Sequence, residues 1–177
     1  MLCALLAALP GASAAPDDTT GRLHAFEARL EANPSATAVL QGWCDAHAPG
    51  SRIVARQVQS RFVPLPEAAR QALAIKPGES ARYRRVQLIC AGQVLSNADN
   101  WYLPGKLTDA MNATLDTTRT PFGVVAAALH FTRRNLTTRY LPRGGQDVLR
   151  HSAVLITDRG EPFSFVVETY TKAILVN

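Results

Sequence analysis

The sequence predicts one α+β domain, with an antiparallel sheet of about six strands and helices packed on one side. Three observations predict it. Segments with the two-residue alternation of strands outnumber helical ones. Most are joined by tight turns around Gly or Pro, which suit hairpins rather than long crossovers. The chain of 177 residues has no internal repeat and no linker, and it is long enough to bury one core. With 47% hydrophobic and 19% charged residues, the composition is that of a globular protein.

Residues 1–15 stand apart. Met1–Leu9 is an apolar run, Pro10-Gly11 breaks it, and Ala12-Ser13-Ala14-Ala15 supplies small residues before Pro16-Asp17-Asp18. This is the apolar core and cleavage region of a secretory signal, too short to span a bilayer. The positive leading segment is missing. The expectation is an exported, periplasmic domain over residues 16–177, or a cytoplasmic one if the start is mis-assigned.

Residues 20–33 then read as an amphipathic helix with Leu23, Phe26 and Leu30 on one face, ended by Pro34. Ser35 is placed to cap a second helix running to His47 and burying Val39, Leu40 and Trp43. After a turn at residues 48–51, alternation over 52–62 predicts a half-buried strand. A short helix over 67–74 and a turn at 76–79 follow. Strands over 81–91 and 93–103 meet around Gly92. Helices are predicted over 106–115 and from Thr120 onward, then a strand over 132–141 and a loop at 143–145. Strands over 151–157 and 163–175 close the chain as a hairpin about Asp158-Arg159-Gly160.

The formal net charge of +5 is spread along the chain, with short clusters at Arg82, Arg84 and Arg85 and at Arg133 and Arg134. No helix carries a continuous basic face, which argues against nucleic acid and leaves a membrane surface or an anionic small molecule as the partner the charge could serve. The four histidines are scattered and no cysteine spacing resembles a zinc site. Cys44 and Cys90 could pair in an exported protein, but their separation alone does not establish a bond.

Three places could carry chemistry. Alternation along residues 83–90 gives Val86, Leu88 and Cys90 one face and Tyr83, Arg85, Gln87 and Ile89 the other. Arg85 is then either a solvated charge or a clamp whose planar fork fits a carboxylate. In Thr120-Pro121-Phe122-Gly123, Thr120 can cap a helix that begins at Pro121. The following N–H groups of Phe122 and Gly123 could bind an anion, or the segment is simply a well-capped helix. Glu168 sits in the apolar strand beginning Phe163-Ser164-Phe165-Val166-Val167. A carboxylate there must find a partner, stay protonated or serve a ligand.

In this order and setting, the residues resemble the chorismate lyase family. The similarity covers residues 35–175 and is clearest at Arg82-Tyr83-Arg84-Arg85 through Ala91, at Thr120-Pro121-Phe122-Gly123, at Thr132-Arg133-Arg134, and from Gly160 to Glu168. The resemblance implies a chorismate-lyase-like fold and a cofactor-free elimination of pyruvate from chorismate, giving 4-hydroxybenzoate for ubiquinone biosynthesis. It implies that Arg85 grips the ring carboxylate, assisted by the Phe122 N–H, and that Glu168 meets the oxygen at the opposite ring position. Catalysis would then be positioning, with Glu168 assisting proton transfer if burial raises its pKa. Ala36, Gly123 and Arg134 join the implied pocket, and the chain is expected to be a monomer with no membrane span.

The departures bear on substrate. Ala36 stands where the family carries Met or Leu, which widens the pocket, and Phe122 replaces leucine. Asp99 stands where the family has glycine and would repel a dianionic substrate. The alternative is an exported, non-catalytic binder of small aromatic carboxylates, and a third reading is an interaction domain with a disused pocket.

Overall fold

The computed structural model describes residues 18–59, 63–142 and 144–176. The signal-like segment, Phe62 and Arg143 lie outside the described residues. Helices α1 (Thr19–Ala32) and α2 (Ala36–His47) precede strand β1 (Val54–Gln57) and helix α3 (Glu67–Leu73). Strands β2 (Arg82–Cys90) and β3 (Gln93–Tyr102) lead to α4 (Asp109–Thr117) and α5 (Phe122–Val125). Strands β4 (Thr132–Tyr140), β5 (Asp147–Ile156) and β6 (Pro162–Thr171) complete the chain.

The six strands form one sheet in the order β1-β2-β3-β6-β5-β4, each neighbour antiparallel. It is two three-stranded meanders joined where β3 pairs with β6. The hairpins form where the backbone can turn backwards. Ala91 and Gly92 both have positive φ (46° and 84°), the two-residue turn whose twist matches paired strands. At the β5–β6 turn, Gly160 takes φ 78° and its N–H reaches the Thr157 carbonyl.

The inner face of the sheet is covered by α1 and α2 on one half, through Phe26, Leu30, Leu40 and Cys44 packed on Leu88, Leu95 and Tyr170. Leu115 and Ala126, with Phe131, cover the other half over Tyr102, Leu155 and Phe163. The short α3 lies on the opposite face, where Ala69 and Leu73 meet Trp101, Val154 and Phe165. Seven residues with two buried side chains carry too weak a period to assign a face from sequence alone.

Several boundaries shift. The strand expected over 52–62 is four residues long, and the helix expected from residue 106 begins at Asp109, capped by the Thr108 hydroxyl. Residues 172–175 form a 3-10 turn rather than the end of a strand. Ser35 caps α2 as expected, its Oγ accepting from the Ala38 N–H at 3.3 Å. Thr120 does not cap α5: Pro121 takes that position with no side-chain bond, and α5 lasts four residues before tightening to 3-10. Cys44 and Cys90 form a disulfide joining α2 to the end of β2, both buried.

Candidate functional site

Side chains on the sheet's inner face fall in rows set by the strand register. Arg84, Asn100, Val166 and Ala153 stand side by side across β2, β3, β6 and β5. The adjoining row holds Val86, Ala98, Glu168 and His151. Above these rows the chain leaves a cavity roofed by the start of α2 (Ser35, Ala36, Thr37) and by Phe122 and Gly123 of α5. Its volume is about 50 Å³. That exceeds the roughly 10–15 Å³ that a cavity needs to hold one water. Val86, Leu88, Ala98, Val166 and Leu155 make the floor apolar.

Arg84 is the group that gives this cavity its charge. It is only 5% exposed, and its Nε and Nη2 atoms are buried without a hydrogen-bond partner. Burial pulls its pKa below the ordinary arginine range, opposed by Tyr102 and Asp116. A cation in that state calls for an anion, because an unpaired buried charge is costly. Beside it, Ser164 Oγ donates to Asn100 Oδ1 at 2.7 Å, which leaves the Asn100 amide N–H₂ as a further donor in the same row.

Across the cavity, Arg133 reaches over from β4. Its Nη2 bonds Glu168 Oε2 at 2.6 Å, and the two side chains are 3% and 7% exposed. The Tyr170 hydroxyl donates to the same Oε2 at 2.9 Å. Arg133 Nη2 also donates to His151 Nδ1 at 3.1 Å. A guanidinium cannot accept, so His151 Nδ1 is unprotonated and its proton rides on Nε2, which is buried without a partner. Burial, and then Arg133, hold the His151 pKa below its usual value. The expected carboxylate in an apolar strand thus has a partner, and that partner is a guanidinium.

The structure brings Ala36, Phe122, Gly123 and Glu168 together around one cavity. Two expected site residues are not there. Arg85 points to the opposite face, 42% exposed, with its Nε 3.7 Å from Asp99 Oδ1. Arg84, one position earlier, takes the cavity. Arg134 is likewise exposed, and Arg133 takes its place. In β2 the inward parity runs unbroken from Cys90 through Leu88 and Val86 to Arg84, so Arg85 takes the other face. In β4 Arg133 stands opposite Leu155, which lines the cavity, so Arg134 takes the outer face. Asp99 is also corrected: it lies on the outer face, where Tyr83 OH donates to it at 2.5 Å, and puts no charge in the cavity.

Gly123 seals the roof. A Cβ there would lie 2.9 Å from both Ser35 Oγ and Thr37 Oγ1, so only a glycine lets α5 close on α2. The same wall borders, on its other side, an open groove of about 910 Å³ carrying Arg52, Arg119 and His130. Among the described residues, no group of three or more His, Cys, Asp or Glu side chains could hold a metal. Nor is any described helix long and apolar enough to cross a membrane.

Comparison with known proteins adds a relative and a fold. The chain is 40% identical over 190 aligned positions to the uncharacterized protein y4mC of Sinorhizobium fredii, covering 94% of this chain and 80% of that protein. Among solved structures it is similar to the possible transcriptional regulator YydK of Bacillus subtilis (TM-score 0.51, 13% identity). That match covers 69% of this chain and 58% of YydK. It is similar to the same degree to gene product SA0254 of Staphylococcus aureus (TM-score 0.51, 13% identity, 69% of this chain and 85% of that one). No family model matches. These structural likenesses show the fold alone, which is chorismate-lyase-like, with a six-stranded antiparallel sheet and helices.

Proposed function

The chain belongs to the family of the uncharacterized protein y4mC, and we propose that it is a binding protein for a small ring-bearing carboxylate. One observation carries the reading: Arg84 lines an apolar-floored cavity with two buried donor atoms unpaired. A ligand carboxylate completes the planar fork of Arg84. Asn100 supplies a further donor, and a flat ring rests on Val86, Ala98 and Val166. Small-molecule sites are of this kind, mostly apolar with a few convergent polar groups.

Binding rather than turnover is the better-supported role, because Glu168 is held by Arg133 and Tyr170. A general acid or base needs freedom to exchange a proton with the reacting atoms. Elimination of pyruvate from chorismate is the second reading, favoured by Glu168 reaching the same cavity as Arg84. Calorimetry with 4-hydroxybenzoate and pyruvate release from chorismate separate the two. Heat with no pyruvate supports the binder, and turnover establishes the lyase. No binding of 4-hydroxybenzoate or its ring analogues at millimolar concentration refutes the carboxylate site.

Export is part of the proposal. It is supported by the signal-like residues 1–15 and by the buried Cys44–Cys90 disulfide, a bond that persists in oxidising compartments. Periplasmic fractionation of the tagged full chain tests it, and recovery wholly in the cytoplasm with reduced thiols would overturn it.

A further inference from the structure

Among the described residues that line the cavity, the ionisable groups are Arg84, Arg133 and Glu168. His151 touches Arg133 from behind and is neutral in this arrangement, since its Nδ1 accepts from a guanidinium. The charge inside is therefore two cations against one carboxylate. Arg133 and Glu168 cancel each other at 2.6 Å, and Arg84 is left over. One incoming carboxylate neutralises the site.

A second carboxylate at the far end of the ring would have to compete with Glu168 for Arg133. Neither could be solvated there, because the Arg133 and Glu168 side chains are 3% and 7% exposed. Like charges forced together without water are among the strongest devices for rejecting a ligand. We propose that Glu168 is a built-in counter-ion occupying Arg133, so that the cavity selects ring compounds with a single carboxylate and rejects those with a second one opposite. This rests on the carboxylate-binding reading above and names its ligand class: monoanionic para-substituted ring acids.

The test uses the full folded chain and two ligands of nearly one shape, terephthalate and its monoamide, 4-carbamoylbenzoate, with 4-hydroxybenzoate as the size control. Calorimetry should show the monoamide binding and the diacid weaker by roughly 100-fold or more, the scale on which an uncompensated buried charge acts. In Glu168→Gln the shape is kept and Arg133 is released, so the diacid should bind at least as well as the monoamide. Equal binding of both by the native chain overturns the proposal and leaves the carboxylate site standing. Binding of 4-hydroxybenzoate alone also overturns it, because Arg133 then does not face the ligand's far end. Failure of all three overturns the carboxylate site itself. If Glu168→Gln folds and still rejects the diacid, Glu168 is not the source of selectivity. If that variant does not fold, the native chain's preference decides.

Discussion

Arg84→Met separates a binding arginine from a structural one, because the two roles predict opposite signs. Arg84 is 5% exposed with two donor atoms unpaired, so it contributes little to the fold and carries a desolvation cost. Replacing even a buried ion pair with apolar side chains of similar volume is often neutral or stabilising by about 1–4 kcal/mol, and Arg84 has no such partner to lose. At roughly 2–4 °C per kcal/mol for a chain of this size, Arg84→Met should melt no lower than the native protein and up to about 16 °C higher. The ligand should suffer instead. Two charge-assisted bonds at about 1.5–3 kcal/mol each put the loss at 3 kcal/mol or more, so affinity for 4-hydroxybenzoate should fall at least roughly 100-fold. Melting curves with and without ligand, with calorimetry on both proteins, read both effects. Arg85→Met is the control: its pair with Asp99 is exposed and long, worth at most about 1 kcal/mol, and affinity should not change. An Arg84→Met protein that melts several degrees lower, or binds within roughly threefold of native, would refute the reasoning.

The remaining expectations concern the frame around the site. Reducing Cys44–Cys90, which spans 46 residues, should cost about 4 kcal/mol by the chain-entropy estimate and lower the melting point by roughly 10 °C; scanning calorimetry with and without reductant reads it. Gly123→Ala sets a methyl 2.9 Å from the Ser35 and Thr37 hydroxyl oxygens, and should destabilise by about 1–3 kcal/mol in urea titrations while weakening ligand binding. His151 has a depressed folded pKa, so the unfolded chain takes up the proton first as pH falls. Its contribution is therefore fully present above the unfolded value of about 6.5 and lost as pH drops towards the folded one. Denaturation at successive pH values from 7 to 5 should show that decline in the native protein and a flatter profile in His151→Leu.

The sheet was readable because its signals are local. Alternation in residues 83–90, Gly92 and Gly160 in the turns, and Ser35 after Pro34 each act over a few residues, and each appears where the pattern placed it. The site was half readable. Parity in β2 already sets Arg84 with Val86 and Leu88, the apolar face, whereas a position carried over by resemblance chose Arg85. Counted back from Cys90, every second residue of β2 faces inward, and Arg84 falls among them. In β4 no parity existed to consult: Thr132-Arg133-Arg134-Asn135 has no apolar alternation, so which arginine turned inward depended on β5 and β6. The Arg133–Glu168 pair joins residues 35 apart on non-adjacent strands, a long-range fact that no local pattern encodes. His151 was hidden for the same reason, being defined by the guanidinium that meets it.

The central claim is that a carboxylate charge on Arg84 holds the ligand, and comparing 4-hydroxybenzoate with 4-hydroxybenzamide by calorimetry tests it most directly. The two have the same ring and hydroxyl and differ in charge. Binding of the acid at least roughly 100-fold tighter than the amide is the predicted result. Equal affinity for both would contradict it, because the cavity would then be reading shape without the charge that Arg84 is there to meet.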